Sequence, residues 1–544
     1  SARLSSARLP QASKIVIVGH SMGAHGALLL ASSLAFDGRV VAVAAVAPWS
    51  SKSSYGDSNS RFVLDARVDG VDPLLRAVLD ASLAEQDVDP HLAQLCSLKK
   101  VLLRVGADDR AVSPWFARRT RRLLADLCKD VIVYEEVPAK DHWWWDTDQP
   151  NDGGCVNDDT MRRFYADALD DESRAKRNSS AKQQQREALV VSNPSAIFGP
   201  TPSGYRILQQ IVPFVRRSSL DVDGDALRTR NARRIQLPSS SSLGGGGGGG
   251  SSSKNTKTLV VDGDVVLVDS SSTESLCLGE TSWHPCEDSD AENAETERSP
   301  ASHGPARQVV QGEFVLVVAK RHTDLAVFVS NQFLTTGHAR APIVVVDAPR
   351  SWEASVLGKK KHKKRNVVFV GLPPDWALVN TTAALEVGPR LIRVGGCEWR
   401  HPDAAVIALL PIFEEGFGLR LGLLLHGNSD AALRVLVETF ATPTIPPMAR
   451  QPFSSDVPDV VVLDARRTER EGVPGYDLAG YWDARWALSP QATWVGGGAR
   501  CRPRLDLDLD GEVPPPSWLQ QQPPHSDSDS DSEKRTSLNN DEEV

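Results

Sequence analysis

The chain has 544 residues, 41% of them hydrophobic and 24% charged, which excludes a chain disordered throughout and leaves room for three to four domains of roughly 150 residues each. A net charge of −9, from 61 basic and 70 acidic residues, argues against a nucleic-acid partner bound through a global basic field. The longest apolar runs, Val40–Trp49 and Val406–Phe413, fall short of the roughly 18 residues that a membrane span needs.

From the start to about residue 170, apolar runs alternate with amphipathic stretches. Ile15–Val18, Val40–Val46, Val101–Val105 and Val131–Tyr134 read as buried strands, and Ala24–Leu34 and Trp115–Leu127 carry helical spacing. Strands that alternate with helices predict an α/β unit with a parallel sheet covered on both faces. The polar stretch 170–186 breaks the pattern. Leu189–Asn193, Ile207–Val215 and Arg233–Leu237 then predict a small β-rich extension over 188–238. Serine, glycine and acidic residues over 239–311 predict a flexible linker by composition.

Strand candidates return at Phe314–Ala319, Ile343–Val346, Val367–Val370, Val406–Leu410, Leu421–Leu425 and Val460–Leu463, with a helix at Ser429–Phe440. They predict a second α/β domain over 312–500. The Pro-, Gln- and Asp/Ser-rich remainder, 501–544, predicts a disordered tail. The seven cysteines (96, 128, 155, 277, 286, 397 and 501) are odd in number and scattered, which predicts neither a disulfide framework nor a zinc site and mildly favours a reducing, cytoplasmic setting.

The sharpest chemical signal is Gly19-His20-Ser21-Met22-Gly23, directly after the strand Ile15–Val18 and at the opening of the helix Ala24–Leu34. A G-x-S-x-G element in strand–turn–helix context is a nucleophile elbow. The expected reason for Gly19 and Gly23 is steric: a side chain at either would collide with the neighbouring strand or helix. Ser21 then projects above the sheet edge, and the Met22 N–H points at a developing oxyanion. A serine hydroxyl needs a base, and the base needs an orienting carboxylate, in the chain order Ser, Asp, His. Asp109 follows the strand Leu102–Val105, with Asp108 as runner-up, and His142 follows Val131–Tyr134.

These residues resemble the catalytic domain of the prolyl oligopeptidase family, serine peptidase family S9, from about Lys14 to Leu169. The resemblance rests on GHSMGAHGA, VGADDRAVSPW and KDHWWWD. The family places its catalytic Asp in a G-x-x-D-x-x-V pattern, which Gly106 and Val112 fit around Asp109. A less studied subgroup of large proteins is similar further along, at His142–Gly154, Arg206–Gln209 and Pro443–Met448. The resemblance implies an α/β-hydrolase fold, a triad of Ser21, Asp109 and His142, a peptide or small ester as substrate, and no metal or organic cofactor. It also implies a sheet whose N-terminal strands precede Ser1, and so weak catalysis by the chain as it stands.

Other features read more plainly. Trp143, Trp144 and Trp145 are expected to pack beneath the histidine loop, with a pocket-lining role as the alternative. His20 and His25 are expected to pack or support the site. Asp221–Asp225 fails the EF-hand pattern and predicts a solvated turn. The basic block Lys359–Arg365 predicts an exposed loop, and Ser526–Glu533 an acidic solvated segment. An esterase or depolymerase with the same triad, or a scaffold working through its C-terminal domain, are the rival readings.

Overall fold

The computed structural model describes residues 13–51, 71–144, 154–170, 187–195, 197–238, 256–269, 274–286, 296–346, 365–371, 384–414, 418–442, 452–453 and 457–497. The run 239–253, the tail 501–544, Trp145 and all of the block 359–365 except Arg365 lie outside them.

Strands β1 (Ile15–His20), β2 (Val40–Val46), β3 (Lys100–Gly106) and β4 (Ile132–Val137) form a sheet in that spatial order, each parallel to its neighbour. All seven residues of β2 are buried, as a central parallel strand requires. Its alternation sorts two cores. Val43 and Ala45 pack with Val101, Leu103 and helices α1 (Met22–Ser33) and α3 (Pro114–Cys128), while Ala42, Ala44 and Val46 pack with Leu102 and helix α4 (Asp159–Leu169). Local sequence sets the helix starts. Ser113 and Asp158 cap α3 and α4 through Trp115 N and Met161 N, and Pro114 opens α3, where no backbone donor is needed.

The next unit corrects the linker expectation over 239–311. Strands β5 (Glu187–Val191), β6 (Arg206–Gln210), β7 (Ser218–Asp223), β8 (Ala226–Arg230) and β9 (Ala232–Gln236) are joined by β10 (Thr256–Val261), β11 (Asp264–Asp269), β12 (Ser275–Leu278) and β13 (Trp283–Pro285). They form a five-stranded sheet, β11-β10-β8-β7-β5, and a four-stranded one, β13-β12-β9-β6, which share one core. The alternating Val261, Val266, Val268 and Leu276 need that core and cannot stay in a linker. Asp221–Asp225 spans the end of β7 and its tight turn into β8, with Gly224 at φ 61°.

The C-terminal unit is α/β, as its sequence predicts. β14 (Phe314–Ala319), β15 (Ile343–Val346), β16 (Asn366–Val370), β20 (Ala404–Glu414), β21 (Gly418–Gly427), β22 (Val460–Asp464), β23 (Tyr476–Trp482) and β24 (Leu488–Val495) form one sheet in the order β15-β14-β16-β21-β20-β22-β23-β24. Pairing is parallel from β15 to β21 and antiparallel beyond. Strands β17 (Leu385–Gly388), β18 (Leu391–Val394) and β19 (Cys397–Trp399) make a separate small sheet. Helix α5 (Thr323–Gly337) follows β14, and α6 (Asp430–Ala441) is capped by Ser429.

Helix α2 (Pro73–Ala81) lies between β2 and β3 in the chain, yet Leu75, Val78 and Leu79 belong to the C-terminal core. The cysteines also differ from expectation. Cys96 pairs with Cys128 and Cys277 with Cys286, Cys397 is disulfide-bonded as well, and Cys155 is free and buried. The paired residues are distant or framed by unrelated sequence, so their spacing hides what the fold brings together; disulfides fit an oxidising setting rather than a reducing one. Among the described residues, no helix is long and apolar enough to cross a membrane.

Candidate functional site

Ser21 occupies the turn between β1 and α1 with φ 58° and ψ −121°. A positive φ on a residue with a side chain costs about 1–3 kcal/mol and persists only where the surroundings impose it. They do so here. The Ser21 N–H donates to Val46 O at 2.9 Å, at the end of β2, and the Ser21 carbonyl accepts from Ala24 N and His25 N at 2.9 and 3.1 Å. Met22 is the first residue of α1, so its N–H has no acceptor within the helix, and its side chain is exposed.

Gly19 has the steric reason that the motif predicts: a Cβ there would lie 1.9 Å from the Gly23 carbonyl oxygen and 2.8 Å from Ala24 N. Gly23 does not. A Cβ at that position meets nothing within 4 Å, because it points outward from the first turn of the helix. The close approach is made by the Gly23 backbone onto Gly19, so only one of the two glycines is required by contact.

Asp109 follows β3. Its Oδ1 accepts from the N–H groups of Ala111 and Val112 at 2.9 and 2.8 Å, and its Oδ2 lies 2.8 Å from His142 Nδ1. Both side chains are buried. Asp108 is exposed, and its N–H donates to Lys140 O at 2.9 Å. Gly106 allows this histidine loop to close on β3, because a Cβ there would sit 2.3 Å from Lys140 O and 2.5 Å from the Trp144 ring.

His142 meets the other half of the site through His20. Their ring centroids are 4.7 Å apart, and His20 Nε2–H donates to the His142 carbonyl at 2.9 Å. Burial lowers the pKa of His20, and the neighbouring His142 lowers it further, which suits His20 to a neutral supporting role. Ser21 follows β1 and His142 follows β4, the two outer strands of the sheet, and the contact of His20, the last residue of β1, with His142 brings the histidine loop to the serine turn. Among the described residues no hydrogen bond joins Ser21 Oγ to His142, whose Nδ1 faces Asp109. His25 packs as expected, stacked on Trp49 at 3.6 Å with its ring nitrogens facing Trp49 O and Gln86 O.

The two described tryptophans of the histidine loop divide. Trp144 packs under the loop, against Gly106 and 5.7 Å from the Arg104 guanidinium. Trp143 is 61% exposed, with its ring edge-on to His142 at 4.6 Å.

Arg104 is the supporting residue that motif reading misses. It is buried on β3, donates from Nη1 to Cys155 O at 3.1 Å, and pairs through Nη2 with the Asp158 carboxylate. Cys155 N in turn donates to Trp144 O at 3.0 Å, so Arg104 anchors the far end of the histidine loop. The signal was an arginine inside the apolar run Val101–Val105, since a buried guanidinium demands partners. Among the described residues, no group of three or more His, Cys, Asp or Glu is set to hold a metal ion.

No protein-family model and no curated protein matches the chain.

Proposed function

We propose that this chain is a serine hydrolase with an α/β-hydrolase-type catalytic unit. Ser21 is the nucleophile, His142 the general base and then acid, and Asp109 the orienting carboxylate. The observation that carries the reading is the strained φ of Ser21 at the end of β1, beside a buried Asp109–His142 pair held after β3 and β4 of the same parallel sheet. In parallel strands those three positions share one end of the sheet.

Ser21 Oγ attacks a carbonyl carbon while its proton passes to His142 Nε2, the nitrogen that Asp109 leaves unused. The Met22 N–H donates to the tetrahedral oxyanion. As the bond to the leaving group breaks, His142 returns the proton to that group, and an acyl-Ser21 ester remains. Water, deprotonated by the same histidine, hydrolyses the ester and restores the serine. The peptidase assignment within this class rests on the resemblance to the prolyl oligopeptidase family.

A fluorophosphonate probe tests the nucleophile: it is expected to label the full chain and not the Ser21→Ala variant. Equal labelling of both would place the nucleophile elsewhere. Aminoacyl-anilides set against short acyl esters then decide between amide and ester, since the triad serves both.

A further inference from the structure

We infer that Trp143 is the leaving-group platform of this site, selecting substrates whose leaving group carries a planar apolar face. The inference rests on the serine hydrolase reading and names the half of the substrate that the indole would touch.

The argument starts at the imidazole. Asp109 Oδ2 occupies His142 Nδ1, so the proton for the leaving group comes from Nε2. The leaving atom must then come within about 2.6–3.2 Å of Nε2. The Trp143 ring centroid is 4.6 Å from that of His142, with the two planes at 89°. His20 closes the group of rings, 4.7 Å from His142 and 6.1 Å from Trp143. The indole therefore stands beside the imidazole that delivers this proton, and we place the leaving group's substituent against it.

Two further observations separate a platform from simple packing. The indole is 61% exposed, whereas Trp144 fills the position beneath the loop. The Trp143 N–H donates to Asp141 Oδ1 at 2.8 Å, which fixes the backbone that carries the ring. A pre-positioned aromatic face binds a planar group at low cost in ordering. For a peptide, the selected group is an aromatic residue just after the scissile bond; for an ester, it is an arylmethyl alcohol.

The test uses the full chain and two matched substrate pairs with a common butyryl group: benzyl against methyl ester, and phenylalaninamide against alaninamide. Within each pair the leaving groups have similar acidity, so intrinsic reactivity differs little. Trp143→Ala is expected to lower the kcat/KM ratio of the aromatic to the small leaving group by about tenfold, the scale of one aromatic contact. Trp143→Phe should retain most of the ratio, and Trp143→Leu, which keeps apolar bulk if the alanine variant folds poorly, should fall between. The acyl-side ratio, methyl phenylacetate against methyl butyrate, should stay constant. A residue that merely held His142 would depress all substrates alike, so an unchanged leaving-group ratio overturns the proposal, as does a change confined to the acyl-side ratio. Fluorophosphonate labelling of the same samples separates the two failures. Labelled Ser21 with an unmoved ratio removes Trp143 alone. An unlabelled Ser21, or no turnover of either pair, removes the hydrolase reading and this proposal with it.

Discussion

Arg307 reaches back along the chain to Glu85, with Nη2 2.8 Å from Oε2, and its Nη1 donates to the Ser82 carbonyl. Both side chains are largely buried. The contact ties the C-terminal unit to a segment that lies between β2 and β3, and Tyr481 adds a second tie by donating to Val78 O at 2.8 Å. The next residue after Glu85 is Gln86, whose carbonyl faces His25 Nε2 at 2.7 Å, and His25 lies in the helix that starts beside Ser21.

Arg307→Met should therefore leave a buried carboxylate unpaired, at a cost of about 3–5 kcal/mol in denaturant unfolding. Adding Glu85→Gln should recover part of that loss, since the stranded charge is gone. The single variant should also slow labelling of Ser21. Labelling at the normal rate in a destabilised variant would mean that the segment supports stability without supporting the site.

The carboxylate assignment has its own test. Asp109→Asn should cut turnover by roughly 10⁴-fold by setting the wrong imidazole tautomer. Asp108→Asn should cost far less, because that side chain is exposed and its backbone, not its carboxylate, holds Lys140. Steady-state kinetics on a turned-over substrate decides, and a reversal of the two costs would reassign the role to Asp108.

The parts of the molecule that could be read from sequence are those set by local pattern. Ser21, Asp109 and His142 each follow an apolar run; β2 and β3 are such runs because both their faces are covered, whereas β1 and β4, read as buried strands, lie at the sheet's edges and are only half-buried. The misread parts depend on distant partners or on context that composition obscures. Cys96 and Cys128 are separated by 32 positions, and nothing near either names the other. The strands over 256–269 were hidden by the serine- and glycine-rich sequence before them. Yet Asp262-Gly263, at φ 52° and 101° between alternating apolar residues, is a strong hairpin signal in its own right. Helix α2 shows the other limit: its apolar face is legible, but not the fact that its partner lies in the C-terminal core.

The two elbow glycines should respond differently to the same substitution. Gly19→Ala forces a methyl into the Gly23 backbone carbonyl, which cannot move without displacing the start of α1. It should cost about 1–3 kcal/mol and abolish labelling of Ser21. Gly23→Ala meets no neighbour and replaces a poor helix former, so it should be neutral or stabilising by up to about 1 kcal/mol. Thermal unfolding of both variants checks this. Equal destabilisation would restore a steric role to Gly23.

Stability should fall on acidification through buried histidines, with His91 as the clearest case. Its ring is fully buried and stacked on Phe198 at 4.0 Å. Nδ1 lies 3.1 Å from Val190 O, while Nε2 has no hydrogen-bond partner among the described residues, so a second proton would place a stranded donor in the core. Burial lowers the pKa to about 3, opposed by the Val190 contact and assisted by the charge of Arg217. Burial likewise takes His426 down to about 4. The unfolded chain protonates these rings near pH 6.5 and the folded chain does not, so between pH 6.5 and the folded pKa values the unfolded state holds more protons. Stability therefore declines as pH falls through that window, by about 1.4 kcal/mol per pH unit for each such ring. His91→Gln should remove one contribution, reducing the slope of unfolding free energy by about 1 kcal/mol per unit between pH 6 and pH 4 while leaving the dependence above pH 7 parallel to the parent chain. Denaturant titrations across that range give both slopes, and parallel lines below pH 6 would show that His91 takes up its proton without unfolding.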